Sequence, residues 1–153
     1  MSRLFDIILS VFALILLIPL FAAISVLLLC TGEGKIFYKQ ERVGREKKLF
    51  KLLKFATMLE DSPNLPGGDI TLGNDPRVLP VGRILRKTKI NELPQLINIL
   101  RGELSLVGPR PLTPRNFAMY NQEVQETIAK VRPGLSGIGS IVFRDEESII
   151  SMS

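Results

Sequence analysis

The chain has no histidine, no tryptophan and a single cysteine, Cys30. Without histidine there is no Ser-His or Cys-His nucleophile pair and no histidine-ligated zinc, and one thiol excludes an internal disulfide framework. Oxygen-ligand chemistry of the kind magnesium supports is what the composition leaves. Acidic residues are also scarce: 15 Asp and Glu face 20 Lys and Arg, a formal net charge of +5, so an anionic partner or surface is expected. The excess is local. Lys35, Lys39, Arg42, Arg45, Lys47, Lys48, Lys51 and Lys54 follow directly on a long apolar run. That placement fits acidic lipid headgroups better than a nucleic-acid groove, the alternative being an ordinary solvated basic hairpin. With 153 residues the chain is long enough for one domain with a modest core.

From Ile7 to Cys30 no residue carries a charge. As one straight helix this run would measure roughly 36 Å, enough to cross a hydrocarbon core of about 30 Å. It is too long for the apolar region of a cleavable signal peptide, and the bulky Leu29 argues against a lipoprotein Cys30. Pro19 stands at the middle, where it deletes the hydrogen bond to the Ile15 carbonyl and favours a kink. Two topologies follow: a kinked spanning helix, or a re-entrant insertion whose halves, about 12 residues each, return both ends to one face.

The densest chemistry lies in KTKINELPQLINILRGELSLVGPRPL, Lys87 to Leu112. Leu93, Leu96, Ile97 and Leu100 recur at helical spacing and predict one apolar face, with Gly102 as the stop and Pro94 tolerated in the first turn. The helix is expected to begin near Asn91, which serves as its cap. Glu92 then sits at the positive dipole end, where an anion is stabilised and a carboxylate is well placed to hold a divalent cation. Arg110, between Pro109 and Pro111, is restrained by their fixed φ, so its guanidinium can fork onto a phosphate at little entropic cost.

Elsewhere, Ile36–Gln40 and Leu49–Phe55 flank a polar turn with Gly44 and predict a β-hairpin. Asp61 to Asp75, rich in Pro, Gly and Asn, is expected as a loop rather than a domain boundary. Arg83, Arg86 and Lys87 share one helical face able to meet a diphosphate or lipid phosphates, against the blander reading of solvated charge. A further helix is predicted over Arg115–Val131, with Glu123, Glu126 and Lys130 facing solvent.

These segments, together with FD at Phe5 and Asp6, FYKQERVG at Phe37–Gly44, KFATM at Lys54–Met58, NDPRVLPVGRILRKT at Asn74–Thr88, ELPQL, LVGPRP and VRPGLSG at Val131–Gly137, closely resemble the bacterial sugar transferase family. These are small monotopic phosphoglycosyl transferases that move a sugar phosphate from a UDP-sugar onto undecaprenyl phosphate. The resemblance covers nearly the whole chain. It implies an α+β fold, mainly helical, in a monotopic membrane protein with a proline-broken re-entrant N-terminal helix, a β-hairpin and short amphipathic helices. Residues 1–30 would form the membrane helix. Residues 31–153 would form one integrated catalytic-type region on the cytoplasmic face of the bacterial inner membrane. Family members usually continue for some tens of residues past the EES segment, so a longer natural C-terminus is expected.

The family's hallmark is an Asp-Glu dyad before Leu-Pro-Gln-Leu, the Asp as nucleophile and the Glu helping to bind magnesium. Here Asn91 occupies the Asp position. An amide caps a helix as well as a carboxylate does, but it is a far poorer nucleophile toward phosphorus and adds no charge to a metal site. Three explanations stay open: a natural subfamily using Glu92 or another carboxylate, a catalytically silent homologue acting in a complex, or an engineered block of the nucleophile. By resemblance, Asn91 and Glu92 are the catalytic pair and Glu92 is the Mg2+ ligand. Arg110, Arg86, Lys54, Arg77 and Asp75 are the substrate-binding candidates. The expected partners are a UDP-sugar, undecaprenyl phosphate and inner-membrane lipids, with homo- or hetero-oligomers open and no nucleic acid. The rival function is a non-catalytic membrane partner in glycan assembly.

Overall fold

A computed structural model describes residues 3–31, 33–59 and 75–137. The expected loop at 61–75, apart from Asp75, and the EES segment near the C-terminus lie outside these residues. The fold is α+β and mainly helical. Its elements are α1 (Arg3–Thr31), β1 (Phe37–Val43), β2 (Leu49–Phe55), α2 (Pro80–Lys87), a 3-10 turn (Ile90–Glu92), α3 (Gln95–Arg101), β3 (Ser105–Val107), α4 (Pro114–Ala118), α5 (Gln122–Ala129) and β4 (Gly134–Ser136).

Helix α1 runs through Pro19 and is long and apolar enough to cross a membrane. Leu4, Phe12, Ile15, Leu16, Ile18 and Val26 are each more than half exposed along it. Such a band is stable only against an apolar medium, so the protein is membrane-associated. Hydroxyls near its C-terminal end are satisfied internally, Ser25 Oγ donating to the Phe21 carbonyl and Thr31 Oγ1 to that of Leu27. Strands β1 and β2 form the predicted hairpin. β1 runs on to Val43 rather than ending at Gln40, because the Val43 amide donates to the Leu112 carbonyl at 2.9 Å and Arg42 Nη1 donates to that of Pro111. At the turn, Glu46 and Lys47 both take positive φ, a conformation that hairpins usually reserve for Asn-Gly, and Lys48 Nζ holds Glu46 Oε2 at 2.9 Å.

The described chain falls into two contact units. In the first, made of residues 3–17, 39–53 and 94–137, the core is Phe50, Leu52, Leu96, Ile99 and Leu104. The buried face of α3 is not the predicted one: Gln95, Leu96, Asn98 and Ile99 are buried, while Ile97 and Leu100 are partly exposed. Asn98 explains the rotation. Its side chain is wholly buried, accepts from the Leu53 amide and donates to the Lys51 carbonyl and to Glu103 Oε2. Three such bonds dictate which face turns inward. β3 and β4 pair in parallel, Ser105 with Gly134 and Val107 with Ser136. The predicted helix over Arg115–Val131 is two helices, because Asn121 Oδ1 accepts from the Val124 amide and starts a new one. Glu123, Glu126 and Lys130 are exposed, as predicted.

The second unit comprises residues 18–31, 33–38, 54–59 and 75–93, with a core of Ile24, Leu28, Phe55 and Leu85. The Phe55 ring is tilted against Phe21 at 5.1 Å and stacked on Phe37 at 5.6 Å. Helix α2 starts with Pro80 at its first position and stops at Lys89, which takes the left-handed conformation at φ 59. Gly82 lets α2 approach the backbone of Thr57, and a Cβ there would overlap the Thr57 carbonyl. Gly82→Ala therefore forces the two segments apart. It is expected to cost about 1–3 kcal/mol, read as a lower midpoint in thermal melts of the protein in lipid nanodiscs.

Candidate active site

The site is built around the turn that precedes α3. The sequence reading places Asn91 as the cap of α3 and Pro94 in its first turn. The chain instead closes i to i+3 bonds, Glu92 N to Lys89 O and Leu93 N to Ile90 O, and the α-helical register resumes at Gln95. Asn91 is therefore not the cap of α3, and Glu92 does not sit at that helix's dipole end. Both expectations are corrected by this turn, whose 3-10 bonds to Lys89 and Ile90 stand where a first helical turn was expected, α3 opening only at Gln95.

A cationic side chain, rather than a helix end, faces Glu92. Lys54, at the end of β2, brings Nζ to 3.7 Å from Glu92 Oε1, with the two side chains 23% and 34% exposed. Lys54 is placed by its neighbour Phe55, which is 1% exposed, and the turn by Ile90, which packs on the Phe55–Leu85 core. Asn91 is 6% exposed, and among the described residues its Oδ1 has no hydrogen-bond donor. A buried amide oxygen left without a partner costs about 1–3 kcal/mol, so this atom calls for a donor or a cation.

Asp75 and Arg77 meet each other. Arg77 Nε donates to Oδ1 and Oδ2 at 2.9 and 3.1 Å, Nη2 to Oδ2 at 2.6 Å, and the Arg77 backbone amide to Oδ1 at 3.0 Å. Both residues are buried. The guanidinium's hydrogen bonds, outweighing the cost of burial, pull the Asp75 carboxyl down from 3.8 to about 2, and the Arg77 value rises for the same reason. Backbone bonds from Leu59 to Arg77 and from Leu79 to Thr57 tie this segment to the KFATM strand end. Arg86 reaches the same place from α2, with Nη1 3.3 Å from the Met58 sulfur. The second unit thus gathers Lys54, Asp75, Arg77, Arg86, Asn91 and Glu92. Arg110 belongs to the first unit, exposed beside a shallow concavity lined by Val43, Leu112, Phe117 and Val131.

Sequence reading gave Asp6 no role beyond its motif. Asp6 is 2% exposed, accepting from Ser105 Oγ at 2.7 Å and from the Leu106 amide at 3.3 Å. The signal was available: a carboxylate at the head of an apolar run must find donors within the protein.

The Asp75–Arg77 pair sets an acid limit. Because the folded value lies below the unfolded one, the stabilisation is fully present above about pH 4 and is lost as the pH falls toward 2. Asp75→Asn should remove this dependence, so that the thermal midpoints of variant and parent converge between pH 7 and pH 3. A constant gap across that range would show that the pair does not set it.

A family profile described as bacterial sugar transferase matches residues 1–152. The exopolysaccharide production protein ExoY of Sinorhizobium fredii is 39% identical, over 96% of this chain and 71% of the relative. The undecaprenyl-phosphate glucose phosphotransferase of Komagataeibacter xylinus and the undecaprenyl-phosphate galactose phosphotransferase of Salmonella typhimurium are each 36% identical over 95% of the chain. The chain spans 30% and 33% of their lengths. Coverage from one end of the chain to the other, including every segment that meets in the second unit, decides the matter: this protein belongs to the bacterial sugar transferase family.

Proposed function

We propose that the chain transfers a sugar 1-phosphate from a UDP-sugar to undecaprenyl phosphate on the cytoplasmic face of the bacterial inner membrane. This is the first membrane step in assembling a polysaccharide such as capsule, O-antigen or exopolysaccharide. The observation that carries the reading is the meeting of Lys54, Asn91 and Glu92 in a chain that matches this family from end to end. In the net reaction the bond between the two phosphorus groups of the UDP-sugar breaks and UMP leaves with the electron pair. A phosphate oxygen of the lipid ends bonded to the sugar-linked phosphorus.

The residues divide the work by their chemistry. Lys54 and Arg86 offer charge to the diphosphate. The Asp75–Arg77 clamp holds the segment against the strand end that carries Lys54. Magnesium fits this set: it commonly takes one or two protein carboxylates and fills its shell with water and substrate phosphate. Glu92 and the donor-less Oδ1 of Asn91 would hold it, and when bound it would neutralise charge on the diphosphate. A second reading, a silent homologue that serves as a membrane partner in glycan assembly, is favoured by one observation: the residue at the nucleophile position is a neutral, buried amide.

Purified protein with Mg2+, undecaprenyl phosphate and a panel of UDP-sugars should release UMP, and Glu92→Gln should lower the rate by about 100-fold or more, the scale for losing a charge-stabilising group. Asn91→Asp should raise UMP release and, without acceptor, yield a phosphosugar adduct at position 91 in intact-protein mass spectra. No turnover by either form, with a glycan-assembly protein retained on the membrane only when this chain is present, would establish the silent reading.

The re-entrant topology of α1 is part of the proposal. Protein contacts engage both halves of the helix: Arg3 donates to the Leu100 carbonyl and Asp6 accepts from Ser105 in one unit, while Ile24 and Leu28 pack with Phe55 and Leu85 in the other. The division between the units falls after Leu17, beside Pro19. A helix engaged along both halves in this way suits re-entry better than a crossing. Cysteines placed at positions 2 and 35 in a Cys30→Ser background should label from the cytoplasmic side alone, and periplasmic labelling of position 2 would establish a crossing.

A further inference from the structure

The charge around Glu92 does not favour a free dication. Glu92 already faces Lys54 at 3.7 Å, and Asp75 is consumed by Arg77. Among the described residues no three carboxylates, cysteines or histidines cluster as a metal site. Asn91 contributes an oxygen that is buried and without a donor, yet uncharged. An amide oxygen is a competent ligand for a hard cation but supplies none of the charge that draws the ion out of water. Two of the missing negative charges are on the substrate's diphosphate.

We infer that Asn91 makes divalent-cation binding conditional on the nucleotide: the site does not retain a free cation and accepts one only together with a nucleoside diphosphate. The inference rests on the functional reading above and goes beyond it, because it concerns the order of binding rather than the reaction. An Asp at position 91 would bring its own charge and admit the ion alone. Lys54 works in the same direction as Asn91, since its ammonium cancels the one carboxylate that faces the ion. By linkage, the factor by which UDP tightens the metal must equal the factor by which the metal tightens UDP.

The test is calorimetry on the full chain in nanodiscs of zwitterionic lipid, titrating Mn2+ alone, UDP in EDTA, and UDP with Mn2+. The parent should show no saturable Mn2+ binding below about 1 mM, and Mn2+ should tighten UDP by at least about tenfold, within the usual span of coupling between sites. Asn91→Asp should bind Mn2+ alone and show a smaller coupling factor. Lys54→Met should shift both quantities the same way, which keeps the test decisive if the Asp variant folds poorly. Mn2+ binding to the parent alone as tightly as in the presence of UDP overturns the inference and leaves the transferase reading intact. Equal UDP affinity with and without Mn2+ overturns both the inference and the place of magnesium in the reaction. Failure of UDP to bind under any condition overturns the nucleotide reading itself.

Discussion

The apolar cluster around Phe55 is the constraint on which the site depends. Ile90–Glu92 forms a 3-10 turn whose bonds run to Lys89 and Ile90, and Ile90 anchors that turn in the Phe55–Leu85 core. The same core places Lys54 through its neighbour Phe55. The carboxylate and the ammonium meet because both are attached to one packed cluster, not because they attract each other strongly.

That distinction bears on mechanism. A partly exposed pair such as Lys54–Glu92 contributes about 0–1 kcal/mol, so Glu92 can exchange its partner at little cost. Asp75 and Arg77 are buried, matched atom for atom, and the carboxyl is held down to about 2. Removing one partner from such a pair strands a buried charge, so it holds the backbone in place and is not free to turn over. Two ion pairs in one unit thus have different tasks, and burial separates them.

The elements that local rules govern were legible in the chain. The charge-free run from Ile7 to Cys30 became one long helix, the two runs flanking the polar turn at Gly44 became a hairpin, and Gly102 ended α3 in the left-handed conformation, at φ 85. Where reading failed, a long-range hydrogen bond or a local cap had overruled periodicity. Asn98 turned the face of α3 by bonding to Lys51 and Leu53, and Asn121 cut one predicted helix into two. Leucine spacing carries no information about an amide that finds its partners on a strand far away in sequence.

The sequence by itself put forward the candidates for the site, the carboxylate at Glu92, the amide at Asn91 and the cations at Lys54 and Arg86, and determined the family to which the chain belongs. Tertiary structure decided the pairings. Whether Asp75 would face a ligand or an arginine, whether Glu92 would be held by a helix end or by Lys54, and whether Asn91 would cap or stand buried without a donor, all turned on which segments pack on Phe55. Such choices rest on contacts between residues distant in sequence, and those contacts are set by burying apolar surface, a force without direction that specifies its partners only once the whole core has closed.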